Sequence, residues 1–331
     1  MLNIVYNGEM DPRQGKAVTG KVIPDIMEKD PKVVYLDADL MSCIGTLKYA
    51  KTNPRAIECG IAEANMIGVA AGLAAAGFKP ICHSFGIFSS RRCFDQAFLS
   101  AGYAKNDITI LGSDAGVSAA LNGGTHMPFE DMALYSALPG STVIDVSDAT
   151  CLESVLRQCV DRPGVKYIRF SRKDYAKIYD EGSELPIGKA VTLHDGTDVV
   201  IFACGLMLHE AMKAAETLAR ENGISAAVVD CFTVKPIDRE AVAAWAKKCG
   251  AAVVAENHNR FGGLYSAVSQ VLLEEAPVPA GAVAVEDEFG EVGPQSYLAK
   301  RFGLTAEHIV SVAKDVIARK KRAQEDAGTN A

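Results

Sequence analysis

The chain has 331 residues, 49% hydrophobic and 23% charged, with a formal net charge of −7. That length holds about two domains of the usual ~100–200 residues, and the composition is that of a globular protein rather than a disordered or fibrous one. A negative balance with no basic block ahead of the last helix argues against nucleic acid or an anionic membrane as the main partner.

The N-terminal stretch MLNIVYNGEMDPRQGK turns polar at its seventh residue, so no export signal is read there. The longest apolar run, 66–78, is shorter than the roughly 20 residues a membrane span needs. Nine cysteines without a C-x-x-C pair read as reduced thiols in a cytoplasmic protein, mostly small buried hydrophobes, with no zinc site. Asp11-Pro12 reads as an N-cap followed by proline at the first position of a helix to about Glu28. Strand-like runs follow at 33–40, 56–60, 80–85, 108–114, 142–148 and 165–171. Helical patterns at 61–76, 93–104, 129–137 and 149–161 separate them. Strands apolar on both faces that alternate with helices predict a mainly parallel sheet covered on both sides, an α/β domain over 1–177. Turn formers and charges at 178–187 read as a linker.

A second α/β series occupies 188–322. Its strands are expected at 198–205, 225–231, 251–257 and 282–287, with helices at 206–222, 238–249 and 262–276. Thr305 is placed as the cap of a closing helix to about Arg319, and 323–331 as a frayed tail. This second domain lacks the polar insertions of the first, so packing or the assembly of subunits is its expected job.

The segment CGIAEANMIGVAAGLAAAGFKP (59–80) carries the first chemical signal. Glu63 stands in the first turn of an otherwise apolar helix, at the carboxyl edge of strand 56–60, where α/β folds place ligands. Alone, such an acid only complements the helix dipole. Gly68, Ala71, Gly72 and Ala75, three and four apart, would let another backbone approach closely, as at a subunit contact. Two more segments follow within about 75 residues: SFGIF with RRCFDQ, then LNGGTHMPFEDM.

In this order the segments resemble the pyrimidine-binding half of transketolases, enzymes that use thiamine diphosphate. GIAEANM resembles the helix that carries the family's glutamate, SFGIF its aromatic loop, and NGGTHMP its substrate loop. VVDCFTVKPID (228–238) and ENHNRFGGLYSAV (256–268) are similar to the family's C-terminal domain. The resemblance spans nearly the whole chain. It implies a thiamine-diphosphate pyrimidine-binding fold followed by a transketolase C-terminal-like fold, and transfer of a two-carbon ketol unit from a ketose to an aldose. Glu63 would then hydrogen-bond the cofactor's aminopyrimidine at the ring nitrogen opposite the amino group, favouring the imino tautomer that takes up the thiazolium C2 proton. Phe85 and Phe88 would wall the pyrimidine. His126 would point at the reacting carbonyl, and Arg172 would contact the sugar's phosphate end.

Two departures qualify the resemblance. No G-D-G followed by the family's downstream Asn is present, so the chain resembles the C-terminal half of a split, two-chain transketolase. Mg²⁺ and diphosphate are then expected on a diphosphate-binding partner chain, with the active site between chains of an α2β2 assembly. Aspartate stands at Asp114 where the family's phosphosugar enzymes usually have His, and Asn122 stands where they have Asp. An anion at Asp114 would repel a phosphate dianion by a few kcal/mol, so a ketose or aldose with a different polar end, or one bound displaced from Asp114, is expected. The rival enzyme readings are the β subunit of a 2-oxo-acid dehydrogenase decarboxylase component and a deoxyxylulose-phosphate synthase. A noncatalytic scaffold is the rival from another class.

Overall fold

In the computed structural model, which describes residues 2–329, the first helix, α1 (Gly15–Lys29), begins later than Asp11-Pro12. Asp11 does not cap it, because its carboxylate is occupied by the Arg13 backbone N–H and guanidinium at 2.8–3.1 Å. Gln14 holds the N-cap position without a side-chain bond. In chain order there follow β1 (Val33–Asp37), α2 (Leu47–Ala50), β2 (Ala56–Glu58), α3 (Glu63–Ala75) and β3 (Lys79–Phe85). A helical stretch over 91–103 comes next. It starts as a 3₁₀ turn, passes through α4 (Phe94–Gln96) and widens to a π-helix. β4 (Ile108–Ser113), α5 (Asp131–Ala137), β5 (Thr142–Asp145), α6 (Ala149–Cys159) and β6 (Val165–Phe170) complete this part.

The remainder comprises β7 (Val191–His194), β8 (Val199–Ala203), α7 (Met207–Asn222), β9 (Ala226–Asp230), β10 (Thr233–Lys235), α8 (Arg239–Cys249), β11 (Ala252–Asn259), α9 (Leu264–Glu275), β12 (Ala280–Val285), α10 (Gln295–Arg301) and α11 (Ala306–Thr329). The closing helix thus continues past Arg319 through most of the stretch expected to fray, and residues 330–331 lie outside the described residues.

Two sheets result. The larger has the order β10-β5-β6-β4-β3-β1-β2 and the smaller β12-β11-β8-β9-β7. Both are parallel except for their edge strands β10 and β7. All residues of β4 and β6 are buried, as expected for strands covered by helices on both faces. β10 belongs by sequence to the second series but pairs with β5, so the C-terminal part closes the edge of the first sheet.

A buried polar seam joins the two parts. Arg169 donates through Nε to Asp131 (2.8 Å) and through Nη1 to Asp145 (2.9 Å), and through Nη2 to the carbonyls of Pro128 and Asn257. The Ser147 and Tyr179 hydroxyls each donate to Asp230 Oδ2 at 2.7 Å. Ile178, Tyr179 and Leu185, within the stretch expected as a linker, are buried. All nine cysteines are free thiols. Among the described residues no group of three or more His, Cys, Asp or Glu is arranged to hold a metal ion, and no helix is long and apolar enough to cross a membrane.

Candidate active site

A buried polar chain links the carboxyl ends of β1, β3 and β4. His83 on β3 places Nδ1 2.6 Å from Asp37 Oδ2 at the end of β1, and Nε2 3.0 Å from the hydroxyl of Ser113 at the end of β4. The Tyr35 hydroxyl also donates to Asp37. Sequence reasoning missed this chain, because its members lie on three separate strands with no common spacing.

Glu63 opens α3 and is 2% exposed. Its two oxygens have different surroundings. Oε1 accepts from Arg92 Nη1 at 2.9 Å and from the Ser84 hydroxyl at 3.4 Å. Oε2 is buried with no hydrogen-bond partner among the described residues. A buried carboxylate oxygen left unsatisfied is costly, so Oε2 marks where a polar ligand atom belongs. Burial first and the Glu63 charge second push the Cys93 thiol up to about 12, which keeps this neighbour protonated and inert.

Arg92 was not among the expected site residues. Besides gripping Glu63, its guanidinium lies 3.9 Å from the Phe88 ring centroid. Phe85 at the end of β3 and Phe88 in the following turn, the pair expected to form an aromatic wall, have ring centroids 6.3 Å apart. His126 presents its ring to both, 5.1 Å from Phe88 and 6.0 Å from Phe85. Its Nδ1 lies 2.9 Å from the Thr125 hydroxyl. Glu63, Phe85, Phe88 and His126 are therefore brought together.

The loop that carries Asn122 and His126 is seated on the C-terminal part. Gly123 adopts φ +84°, and a Cβ on Gly124 would fall 2.1 Å from the Gly290 carbonyl oxygen. Asn257 on β11 accepts from the Val117 N–H and donates to the Ala115 carbonyl, both at 3.0 Å, which clamps the backbone between Asp114 and Asn122. The second series thus does more than pack, because it fixes this loop.

Asp114 and Arg172, expected as separate contacts, form one ion pair. Arg172 Nε donates to Oδ1 at 2.8 Å and Oδ2 at 3.0 Å of the fully buried Asp114, and the Asn122 amide adds a 3.3 Å bond. Burial works against the Arg172 charge, yet its bond to Asp114 carries the pKa above the usual arginine range. Asp114, the anion expected to repel phosphate, is therefore not bare, because its charge is offset in place. Arg172 also lies 5.3 Å from the Phe85 ring centroid, which ties this pair to the same wall.

Residues 13–177 match the family model for the transketolase pyrimidine binding domain, and 188–309 match the transketolase C-terminal domain. The 6-deoxy-6-sulfo-D-fructose transketolase subunit SqwH of Clostridium sp. (strain MSTE9) is 48% identical, over 88% of this chain and 91% of its own. The chain belongs to the transketolase family. One chain of the apulose-4-phosphate transketolase of Phocaeicola vulgatus is 32% identical to this transketolase over 88% of its residues and 94% of the relative's own. A solved split gene transketolase, an inactive β4 tetramer, superposes with a TM-score of 0.84 at 35% identity, covering 93% of this chain and 99% of that one. The chain is one half of a split transketolase, an enzyme of ketol transfer whose family cofactor is thiamine diphosphate.

Proposed function

We propose that this chain supplies the pyrimidine half of a two-chain active site, with the partner chain of an α2β2 assembly supplying the Mg²⁺ and diphosphate half. The carrying observation is Glu63 Oε2, buried and unpartnered among the described residues beside the wall of Phe85 and Phe88. An aminopyrimidine ring nitrogen meets that need, so the residues present fit the cofactor. Thiamine diphosphate, when bound, supplies the electron sink for cleaving the ketose C2–C3 bond.

Glu63 then holds or shares a proton at that ring nitrogen, and Arg92 keeps its other oxygen fixed. Phe85 and Phe88 orient the ring by stacking and exclude water. His126, half-buried above them, donates to the substrate oxygen on which charge develops. Arg172 binds the far end of the sugar, with Asn122 and Asp114 setting its position.

The same reading gives a substrate class. Because Asp114 cancels the Arg172 charge, the far end of the donor is better matched by one negative charge than by two. A ketose ending in a sulfonate, as in the name of the 48%-identical relative, is the donor we assign. A cytoplasmic setting in carbohydrate metabolism accords with such a substrate.

The test is turnover by the complex of this chain with its diphosphate-binding partner, loaded with thiamine diphosphate and Mg²⁺. Ketol transfer from 6-deoxy-6-sulfofructose to an aldose is expected to exceed that from fructose 6-phosphate. Glu63→Gln is expected to lower kcat at least about 100-fold while the hetero-oligomer still elutes intact. Release of CO₂ from a 2-oxo acid, or undiminished turnover by the Glu63 variant, would overturn the reading.

A further inference from the structure

The amino edge of the larger sheet, at the opposite end of the strands from Glu63, holds an unusual cation. Lys166, the second residue of β6, is only 1% exposed. Its Nζ donates to the Arg162 carbonyl at 2.8 Å, and among the described residues it pairs with no carboxylate. Burial, the largest influence, pulls its pKa down to about 8. Arg162 pulls the same way, and Cys159, Asp107 and Asp161 act against it. A buried ammonium without a counter-ion is costly to the fold.

Lys166 lines a cavity of about 270 Å³ together with Lys79, Lys105, Asp107, Asp161 and Arg162. The charges there do not balance. Lys79 is committed to Asp30 and Asp161. Arg162 spends its Nε on the Thr142 hydroxyl at 3.0 Å, and among the described residues neither it nor Lys105 joins an ion pair. Asp107 already accepts from the Gly164 N–H at 2.6 Å. Lys79, Lys105, Arg162 and Lys166 together face only Asp30, Asp107 and Asp161, which leaves a surplus of one positive charge for an anion to match.

We propose that this cavity binds a small oxyanion, inorganic phosphate or the phosphate end of a small phosphomonoester, through Lys166, Arg162 and Lys105. Charge-assisted hydrogen bonds to such an anion offset the desolvation of Lys166. The cavity exceeds the size of a phosphate ion, leaving room for a short organic tail. Lys166 lies between Thr109 of β4 and Thr142 of β5 in register, so an occupant ties together the starts of three strands. The site is independent of the roles assigned to Glu63 and Arg172.

Isothermal titration calorimetry on the full chain tests this at about pH 8.5, above the Lys166 pKa of about 8. Inorganic phosphate is titrated at constant ionic strength in two buffers of different ionisation enthalpy. Binding to one site with net proton uptake is expected, because occupancy returns Lys166 to its charged form. Lys166→Met, which keeps an apolar chain of similar length buried, is expected to weaken binding at least about tenfold and to abolish the uptake. Arg162→Gln, on the rim, is expected to weaken binding while keeping the uptake. Glycerol 3-phosphate serves as a second ligand. Tighter binding than phosphate identifies a phosphomonoester as the occupant, and binding of phosphate alone identifies the free ion. The proposal is overturned if neither ligand binds, if Lys166→Met binds phosphate as the unaltered chain does, or if binding is lost in Arg172→Gln instead.

Discussion

Glu63 has one oxygen tied to a cation and the other without a partner among the described residues, and that asymmetry organises the site. Arg92 is 45% exposed at its side chain, whereas Glu63 is nearly sealed, so the arginine is the solvent-facing member of a half-buried pair. Removing it leaves a buried carboxylate without its counter-ion, the case in which breaking a pair costs more than the pair contributes. Arg92→Gln in the assembled enzyme is therefore expected to lower kcat about tenfold to a hundredfold and to weaken thiamine diphosphate binding. Arg92→Lys, which keeps the charge but not the planar fork, should recover part of both. Steady-state kinetics and cofactor titration check this, and equal losses in the two variants would assign Arg92's effect to stacking on Phe88 rather than to charge. The glutamate was legible in the sequence because it breaks the apolar pattern of its helix and heads an ordered set of motifs. Arg92 was not, since it lies 29 positions away and nothing in RRCFDQ says which arginine turns inward.

Among the elements, the longer parallel strands were readable as apolar runs, but their seams were not. β10 is only three residues long, follows β9 closely, and owes its burial to pairing with β5 from the other series. No local pattern can announce a partner so far off in the chain. The stripe of small residues on α3 divides in the same way. Ala71 is buried in the core, whereas Gly72 and Ala75 are exposed and a Cβ on Gly68 or Gly72 would meet nothing within 4 Å. That outer face is open to the close approach expected of a subunit contact. The loop that carries Gly124 and His126 is tighter. At Gly124 the nearest neighbours are backbone atoms of Gly290, which cannot swing aside as a long side chain would. Gly124→Ala is thus expected to cost about 1–3 kcal/mol in stability by overpacking. It should also raise the KM for donor, because the loop that carries His126 must shift. Urea unfolding and initial-rate kinetics measure the two effects, and an unchanged KM would mean that the loop relaxes away from the substrate.

Across the whole molecule the two sheets are fastened by charged and polar groups taken almost completely out of water, so the fastening depends on pH. Burial pushes Asp230 up to about 7, although the hydrogen bonds from Ser147 and Tyr179 pull it down, and the charges of Asp148 and Asp145 add to the rise. An unfolded aspartate titrates near 3.9. Between those values the folded chain holds a proton that the unfolded chain has released. Stability contributed by this group is therefore present at low pH and is lost as pH rises through the window, by up to about 1.4 kcal/mol per pH unit. Glu256, raised by burial to about 7, acts in the same sense, while His258, lowered by burial to about 4, acts in the opposite one. The slope of the unaltered chain mixes these with further buried acids such as Asp148, raised by burial to about 6, and a variant isolates the share of Asp230. Asp230→Asn keeps an acceptor for Ser147 and Tyr179 but cannot titrate. Its unfolding free energy between about pH 5 and pH 7 should fall less steeply with pH than that of the unaltered chain, the difference approaching one proton. Urea titrations at several pH values give both slopes. Parallel curves would mean that Asp230 stays ionised throughout, with its Oδ1, which has no partner among the described residues, satisfied by a group that enters the seam.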